Sequence, residues 1–136
     1  MNLPANVECF EDARLLVWRP RGVLDEALVN NILAFVVDQE GKFGRSFNRF
    51  TDMSALDAVD LTFKCVFQFA LYRRLSRAGR EVVKSAFLVT DAEITRYVKL
   101  HAIMTDHSPL KVAMFEEYEA AAKWLGVPPE LLAPQK

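Results

Sequence analysis

Two clusters of polar side chains are the places in this chain where chemistry could occur. The first contains His101 and four residues that follow it closely, Thr105, Asp106, His107 and Ser108. An imidazole, a carboxylate and a hydroxyl are the groups that acid–base and nucleophilic catalysis use. The cluster is therefore a candidate polar site. The alternative is that both histidines form hydrogen bonds within the fold or at a helix end.

The same cluster can be considered as a metal site. His101 and His107 are six positions apart, whereas two ligands on one helical face lie about four positions apart. A metal ion would need a third ligand from elsewhere, for which Asp52 is the candidate. The sequence itself predicts no metal and no cofactor, and no set of residues in it specifies a reaction.

The second cluster is an acidic corner made of five residues, Asp52, Ser54, Asp57, Asp60 and Thr62. The corner follows a strand predicted near 47–53 and precedes a long helix predicted from about residue 60. Backbone N–H groups at a helix start favour anionic groups, so the corner is a candidate ligand-binding or phosphate-accepting switch. Residues of these types are also the preferred helix caps and turn formers, and this structural interpretation stays open.

Arg49 is a further candidate because it lies between Phe47 and Phe50 in the predicted strand. Its side chain would then project to the other face of the sheet, toward an anion or an interface. The alternative is a surface arginine or a salt-bridged one, which contributes little. Several aromatic residues could line an apolar cavity or simply fill the core: Phe63, Phe67, Phe69, Phe87 and Trp124.

Strands and helices alternate along the chain, which favours a mixed, mostly parallel sheet. Strands are predicted at 7–10, 15–18, 47–53, 82–89 and 110–115, and helices at 24–39, 60–80, 91–106 and 116–125. The first two strands should form a hairpin that ends near Gly22. Thr90 and Glu93 are spaced as a capping box for the third helix. The second helix is apolar around much of its circumference and needs cover on more than one side.

The composition limits the class of protein. The chain has 136 residues, 17 basic and 18 acidic side chains, which predicts one domain over 1–136 and argues against a nucleic-acid binder. The tail after about residue 132 should be loose. Cys9 and Cys65 give neither a disulfide framework nor a zinc spacing. With no secretion signal and no apolar run of about 18 residues, a cytoplasmic protein without a transmembrane segment is expected.

The turn DMSALDAVDLTF resembles the motif that joins the third strand to the second helix in the STAS domain, the fold of the anti-sigma factor antagonist SpoIIAA. Asp52, Ser54 and Asp60 match that motif, which resembles D-L-S-x-x-x-x-x-D-S-S-G-L. The motif has two adjacent serines after its second aspartate. Leu61 stands at the position of the first of them, Thr62 stands at the position of the second, and Phe63 replaces the glycine. In the family a serine of this half of the motif accepts phosphate from a kinase.

The whole chain is also similar to small bacterial SpoIIAA-like proteins, described as STAS or CRAL-TRIO-like. The similarity is carried by the segments WRPRGVLDEA, FNRFTDMSALDAVDL, VKSAF and TDHSPLKVAMF. It implies an α/β fold with a four- to five-stranded mixed sheet and about four helices. It also implies a homodimer with a binding or regulatory role.

The leading hypothesis is a non-enzymatic module of this type that docks a partner protein or a small ligand. The first alternative is a carrier of lipids or small apolar molecules, with a cavity beside the second helix. The second alternative is a small enzyme or metal site that uses His101, Asp106 and His107. An empty cavity of about 300 Å³ or more would favour the carrier, whereas converging polar side chains would favour the enzyme.

Overall fold

A computed structural model of the chain describes residues 6–44, 47–62, 64, 83–104 and 110–133. Most of the helix predicted over 60–80 lies outside the described residues. The strands are β1 (Val7–Phe10), β2 (Leu15–Trp18), β3 (Gly22–Asp25), β4 (Asn48–Asp52), β5 (Leu56–Asp60), β6 (Val83–Leu88) and β7 (Leu110–Phe115). The helices are α1 (Glu26–Phe43), α2 (Ala92–Met104) and α3 (Tyr118–Leu125), and a short 3₁₀ helix spans Pro129–Leu131.

The main sheet has five strands in the order β1-β2-β4-β6-β7. β1 and β2 pair antiparallel, as predicted for a hairpin, while β2-β4, β4-β6 and β6-β7 pair parallel. The predicted mixed, mostly parallel sheet and the α/β fold class are thereby confirmed. Parallel neighbours need a crossover connection; α1 lies between β2 and β4 in the chain, and α2 lies between β6 and β7.

A second, two-stranded sheet was not predicted from the sequence. β3 and β5 pair parallel, with Leu24 opposite Val59 and Asp25 opposite Asp60. The expectation that the acidic corner leads directly into a helix is therefore wrong, since a strand follows it. The expected helix start at Leu24 is also wrong, because α1 begins at Glu26. The register of this strand pair shifts near Gly22. Leu56 and Val59, which are three residues apart, are both buried. The strand therefore lacks the strict alternation of buried and exposed residues by which a strand is recognised in a sequence.

Acidic side chains cap the first two helices. Asp25 Oδ1 accepts a hydrogen bond from the Leu28 backbone N–H at 2.9 Å, and α1 ends at Gly44, whose φ of 67° is left-handed. At α2, Asp91 Oδ1 accepts from the backbone N–H groups of Glu93 at 2.8 Å and Ile94 at 3.1 Å. Asp91 is thus the N-cap, whereas Thr90 was expected to be. The predicted helix start near residue 91 is confirmed.

The two faces of the main sheet are covered by different helices. On one face, buried residues such as Leu15, Val17 and Phe50 pack in one cluster with Ala121 and Ala122 of α3. On the other face, Leu16 packs with Phe35 and Val36 of α1, and a further cluster joins α1, α2 and the small sheet. Because side chains alternate along a strand, neighbouring residues of β2 and β4 belong to different cores.

Candidate functional site

A cavity of about 130 Å³ lies between the main sheet and the helices α1 and α2. Most of the described residues that line it are apolar: Val7, Leu16, Trp18, Leu24, Val29, Ile32, Leu33, Val36, Phe50, Met53, Leu61, Phe87 and Val98. Polar lining comes from Arg49, Thr51, Ser85, Tyr97 and His101. Apolar walls with a few polar groups are typical of small-ligand sites. The volume is below the few hundred cubic ångströms expected of a lipid carrier.

The polar part of the cavity is set by the alternation of side chains along two central strands. Arg49 on β4 is the register partner of Ser85 on β6, and Thr51 is the partner of Phe87. All four residues line the cavity, because residues two apart on a strand share a face. The centre of the sheet therefore contributes Arg49, Thr51 and Ser85 to the lining of a cavity whose other described lining residues are mostly apolar.

Arg49 is held in place by a buried ion pair with Glu40 of α1. Arg49 Nη2 donates to Glu40 Oε2 at 2.9 Å, and the two side chains are 12% and 3% exposed. The same carboxylate oxygen accepts from the Phe47 backbone N–H at 3.1 Å. Arg49 Nε and Nη1 are buried, and they donate to no acceptor among the described residues. Buried donors of this kind are costly to leave unsatisfied.

The acid–base cluster predicted from the sequence is only partly described. His101 lies in α2, is 8% exposed and lines the cavity. Its ring meets the ring of Phe87 edge-on, with centroids 6.1 Å apart and an interplanar angle of 75°. The other members of the cluster lie outside the described residues: Thr105, Asp106, His107 and Ser108. The enzymatic alternative thus rests on the sequence alone, while His101 joins Arg49 at the cavity.

The acidic corner separates into a buried part and an exposed part. Asp52 is buried, and its Oδ1 accepts from the Ser54 backbone N–H at 2.9 Å and from the Ser54 hydroxyl at 2.6 Å. These are the bonds of a turn that an aspartate stabilises. Asp57 and Asp60 are exposed on β5, and Thr62, two residues after the end of β5, is exposed as well. Asp52 and Ser54 therefore fix the turn after β4, and the corner is exposed at every residue except Asp52.

Asp52 lies on the opposite side of the sheet from the cavity. Its Oδ2 accepts from Arg19 Nη1 at 3.1 Å. Arg19 Nη2 donates to the carbonyl oxygens of Leu132 at 2.8 Å and Ala133 at 3.0 Å, and Leu132 packs in the core beneath α3. The sheet thus separates Asp52 from His101, which argues against a metal site that combines them. In the parts of the chain that the structure describes, no three His, Cys, Asp or Glu side chains are grouped to hold a metal ion.

Two of the aromatic residues proposed to line a cavity are described, and they lie on different faces. Phe87 lines the cavity, whereas Trp124 packs against Phe115 on the α3 side, with ring centroids 5.7 Å apart. Lys84 Nζ lies 5.3 Å from the Trp124 ring centroid and donates to the Trp124 carbonyl oxygen at 2.9 Å. Phe63, Phe67 and Phe69 lie outside the described residues.

Sequence reasoning missed Glu40, Thr51 and Ser85 as site residues. The predicted first helix stops at residue 39, but α1 continues through Gly41 to Phe43 and thereby holds Glu40 over the sheet. A usable signal was present in β4 and β6, where Thr51 lies two residues after Arg49 and Ser85 interrupts an apolar strand. Polar residues at alternate positions of central strands indicate a polar patch on one face of a sheet.

Comparison with known proteins supports the fold but identifies no function. No family model and no curated protein matches the sequence. Among solved structures, the arrangement of strands and helices is that of the SpoIIAA-like fold, so the chain is an α/β protein of this fold class. One such structure is an uncharacterised protein of the DUF3478 family from Shewanella loihica PV-4, solved at 2.25 Å resolution, with 15% sequence identity and a TM-score of 0.57.

That alignment covers 88% of this chain and 89% of the other. The resemblance to SpoIIAA-like proteins is thereby confirmed at the level of the fold. At this sequence identity the match says nothing about activity, because one fold serves many functions. Among the helices described, none has the length and apolar character that crossing a membrane requires.

Proposed function

We propose that this protein is a binding module that holds a small, mostly apolar molecule between its main sheet and the helices α1 and α2. One observation carries the proposal: a cavity whose lining residues are mostly apolar, with a few polar ones among them, lies between the sheet and the two helices. Its walls would bury the apolar surface of a small molecule. That burial favours binding.

The size of the cavity limits the ligand to a small molecule. At about 130 Å³, it is comparable with an apolar cavity of about 150 Å³ that stays dry and binds benzene. A single aromatic ring or a short alkyl group with one polar substituent fits this class. A long-chain lipid does not, so the small-ligand form of the hypothesis is favoured over the lipid carrier.

Ligand-observed saturation-transfer NMR tests the proposal with three probes: acetophenone, benzoate and cyclohexanol. At least one of the three should receive magnetisation from the protein. Val98→Phe should abolish the transfer, because Val98 lines the cavity and a larger side chain would fill it. Val37→Phe is the matched control, since Val37 is 41% exposed on α1 and is not a lining residue. Transfer that is absent for all probes, or that survives Val98→Phe, would contradict the proposal.

Docking of a partner protein at the acidic corner is a second prediction, favoured by the exposure of Asp57, Asp60 and Thr62. A kinase could reach a threonine placed there, and a phosphate adds nearly two negative charges beside the two carboxylates. The homodimer and the cytoplasmic location stay predictions as well. Light scattering after size-exclusion chromatography would report the oligomer directly, and a monomer at micromolar concentration would remove the dimer prediction.

A further inference from the structure

The polar residues that line the cavity contribute little polar surface to it. The surface of the cavity is almost wholly apolar, although its lining residues include Arg49, Thr51, Ser85, Tyr97 and His101. The carbon atoms of these side chains therefore form most of the surface that they contribute. Polar side chains commonly cover apolar space with their carbon stems in this way. The residue types alone would thus suggest a more polar site than the cavity provides.

Arg49 lines the cavity without offering its free donors to a ligand. Arg49 Nη2 donates to Glu40 Oε2 at 2.9 Å, and the Glu40 side chain is 3% exposed. The charge of the guanidinium is therefore balanced by a protein carboxylate within the fold. Arg49 Nε and Nη1 are buried, so a molecule in the cavity does not reach them. A ligand gains no hydrogen bond from these two nitrogens.

A polar substituent on a ligand would lose its hydrogen bonds to water on entering such a cavity. A hydroxyl or carbonyl group that is buried without a partner weakens binding by about tenfold or more. A methyl or methylene group of similar size instead gains affinity from burial. The two effects together separate ligands that have nearly the same shape.

We propose that the cavity selects small hydrocarbons over polar molecules of the same shape, so that its preferred ligands are single-ring compounds without a hydrogen-bonding substituent. The inference rests on the proposed function and specifies its ligand class. A polar analogue such as acetophenone still belongs to the size class that a cavity of about 130 Å³ accepts. It binds more weakly than the matching hydrocarbon, because its carbonyl oxygen finds no donor in the cavity.

The test compares two pairs of ligands, toluene with phenol and ethylbenzene with acetophenone. Their dissociation constants are measured by ligand-observed NMR titration in sealed tubes. Each hydrocarbon should bind at least about tenfold more tightly than its polar partner. Acetophenone should still show saturation transfer, since that method detects weak binding. Val98→Phe should abolish toluene binding, because Val98 lines the cavity.

Two variants test whether the hydroxyl groups of the central strands serve the ligand. Thr51→Val and Ser85→Ala remove those hydroxyls and keep the side chains close to their original size. Both residues line the cavity, yet neither substitution should change the two affinity ratios by more than about twofold, because the ligand forms no hydrogen bond there. Selective loss of phenol or acetophenone binding in either variant would overturn the inference. If a variant fails to fold, the ratios in wild type still decide.

The outcomes in wild type separate the inference from the proposed function. Equal affinities within either pair would overturn the inference and leave the proposed function intact. If none of the four ligands binds, the proposed function itself fails. Toluene that binds Val98→Phe as tightly as wild type lies outside the cavity, and this result would contradict both.

Discussion

Replacing Arg49 with methionine tests the ion pair that supports the cavity. Methionine keeps much of the length of arginine and removes its charge. The substitution leaves the Glu40 carboxylate, which is 3% exposed, without the guanidinium that lies 2.9 Å from it. The Phe47 backbone N–H still donates to that carboxylate.

The expected loss of stability is large. Removing one partner of a buried ion pair costs about 3–5 kcal/mol, because the other charge stays buried. Domains of this kind have a total stability of about 5–15 kcal/mol, so Arg49→Met should lose a substantial part of it. Adding Glu40→Gln removes the buried charge and keeps an acceptor for the Phe47 N–H. The double variant should therefore recover about 1–3 kcal/mol relative to Arg49→Met alone.

Urea unfolding followed by far-ultraviolet circular dichroism measures these differences, provided that the slope of free energy against urea is the same in all variants. Arg21→Met is the matched control, because Arg21 is exposed and its substitution should change the free energy of unfolding by less than about 0.5 kcal/mol. A loss of less than about 1 kcal/mol in Arg49→Met would refute the reasoning. A double variant no more stable than Arg49→Met would refute it as well.

Three further predictions concern residues outside the cavity. Asp91→Ala should lower the free energy of unfolding by about 0.5–2 kcal/mol, measured by urea unfolding, because it removes the N-cap of α2. Arg19→Lys should cost about 1–3 kcal/mol and speed amide hydrogen exchange in residues 127–133, since an ammonium cannot span the three acceptors that the guanidinium reaches. Burial, and then the nearby charge of Glu11, raise the pKa of the Cys9 thiol above its ordinary value of 9.0. Glu11→Gln, made in a Cys65→Ser background, should therefore lower that pKa and shift the pH profile of the reaction with Ellman's reagent to lower pH.

Each of these three has a control of the same chemical type. Thr90→Ala, next to the cap, should cost less than Asp91→Ala; equal losses would contradict the assignment of the cap. Arg21→Lys should leave hydrogen exchange near residue 132 unchanged, and an equal effect in both arginine variants would remove the role given to Arg19. Asp12→Asn is an exposed acid-to-amide change beside Glu11, and it should shift the Cys9 profile less than Glu11→Gln does.

The raised pKa of Cys9 also fixes the sign of a pH effect on stability. Burial favours the neutral thiol in the folded state, so its contribution to stability is fully present below the pKa of the unfolded thiol. The contribution is lost as pH rises through the higher pKa of the folded state. Cys9→Ala should therefore show a flatter decline in stability above pH 9 than the parent, and an unchanged slope would contradict the assignment.

Local signals in the sequence predicted much of the main sheet correctly. The hairpin at 7–18, the strand that contains Phe50 and the strand at 110–115 are all present in the structure, because apolar runs between turn residues identify strands well. The start of α2 near residue 91 was also predicted. The small sheet was missed because Leu24 fits the apolar period of α1, and because an irregular register hides the alternation in β5.

The cavity could not be predicted from spacing along the chain. Its polar contacts come from β4, β6 and α2, and the Glu40 that anchors Arg49 lies on α1. The order of these strands in the sheet brings Arg49 and Ser85 together although they are 36 positions apart. Arg49 was a candidate from its place between two phenylalanines, yet its partner and its unsatisfied donors depend on packing between layers, which local patterns do not specify.

A crystal structure of the protein with acetophenone tests most directly whether the cavity is a binding site. The aromatic ring should lie between the main sheet and the helices α1 and α2, in contact with apolar side chains that line the cavity. An empty cavity at a concentration of acetophenone that saturates binding in solution, or a ring bound elsewhere on the protein, would contradict the account.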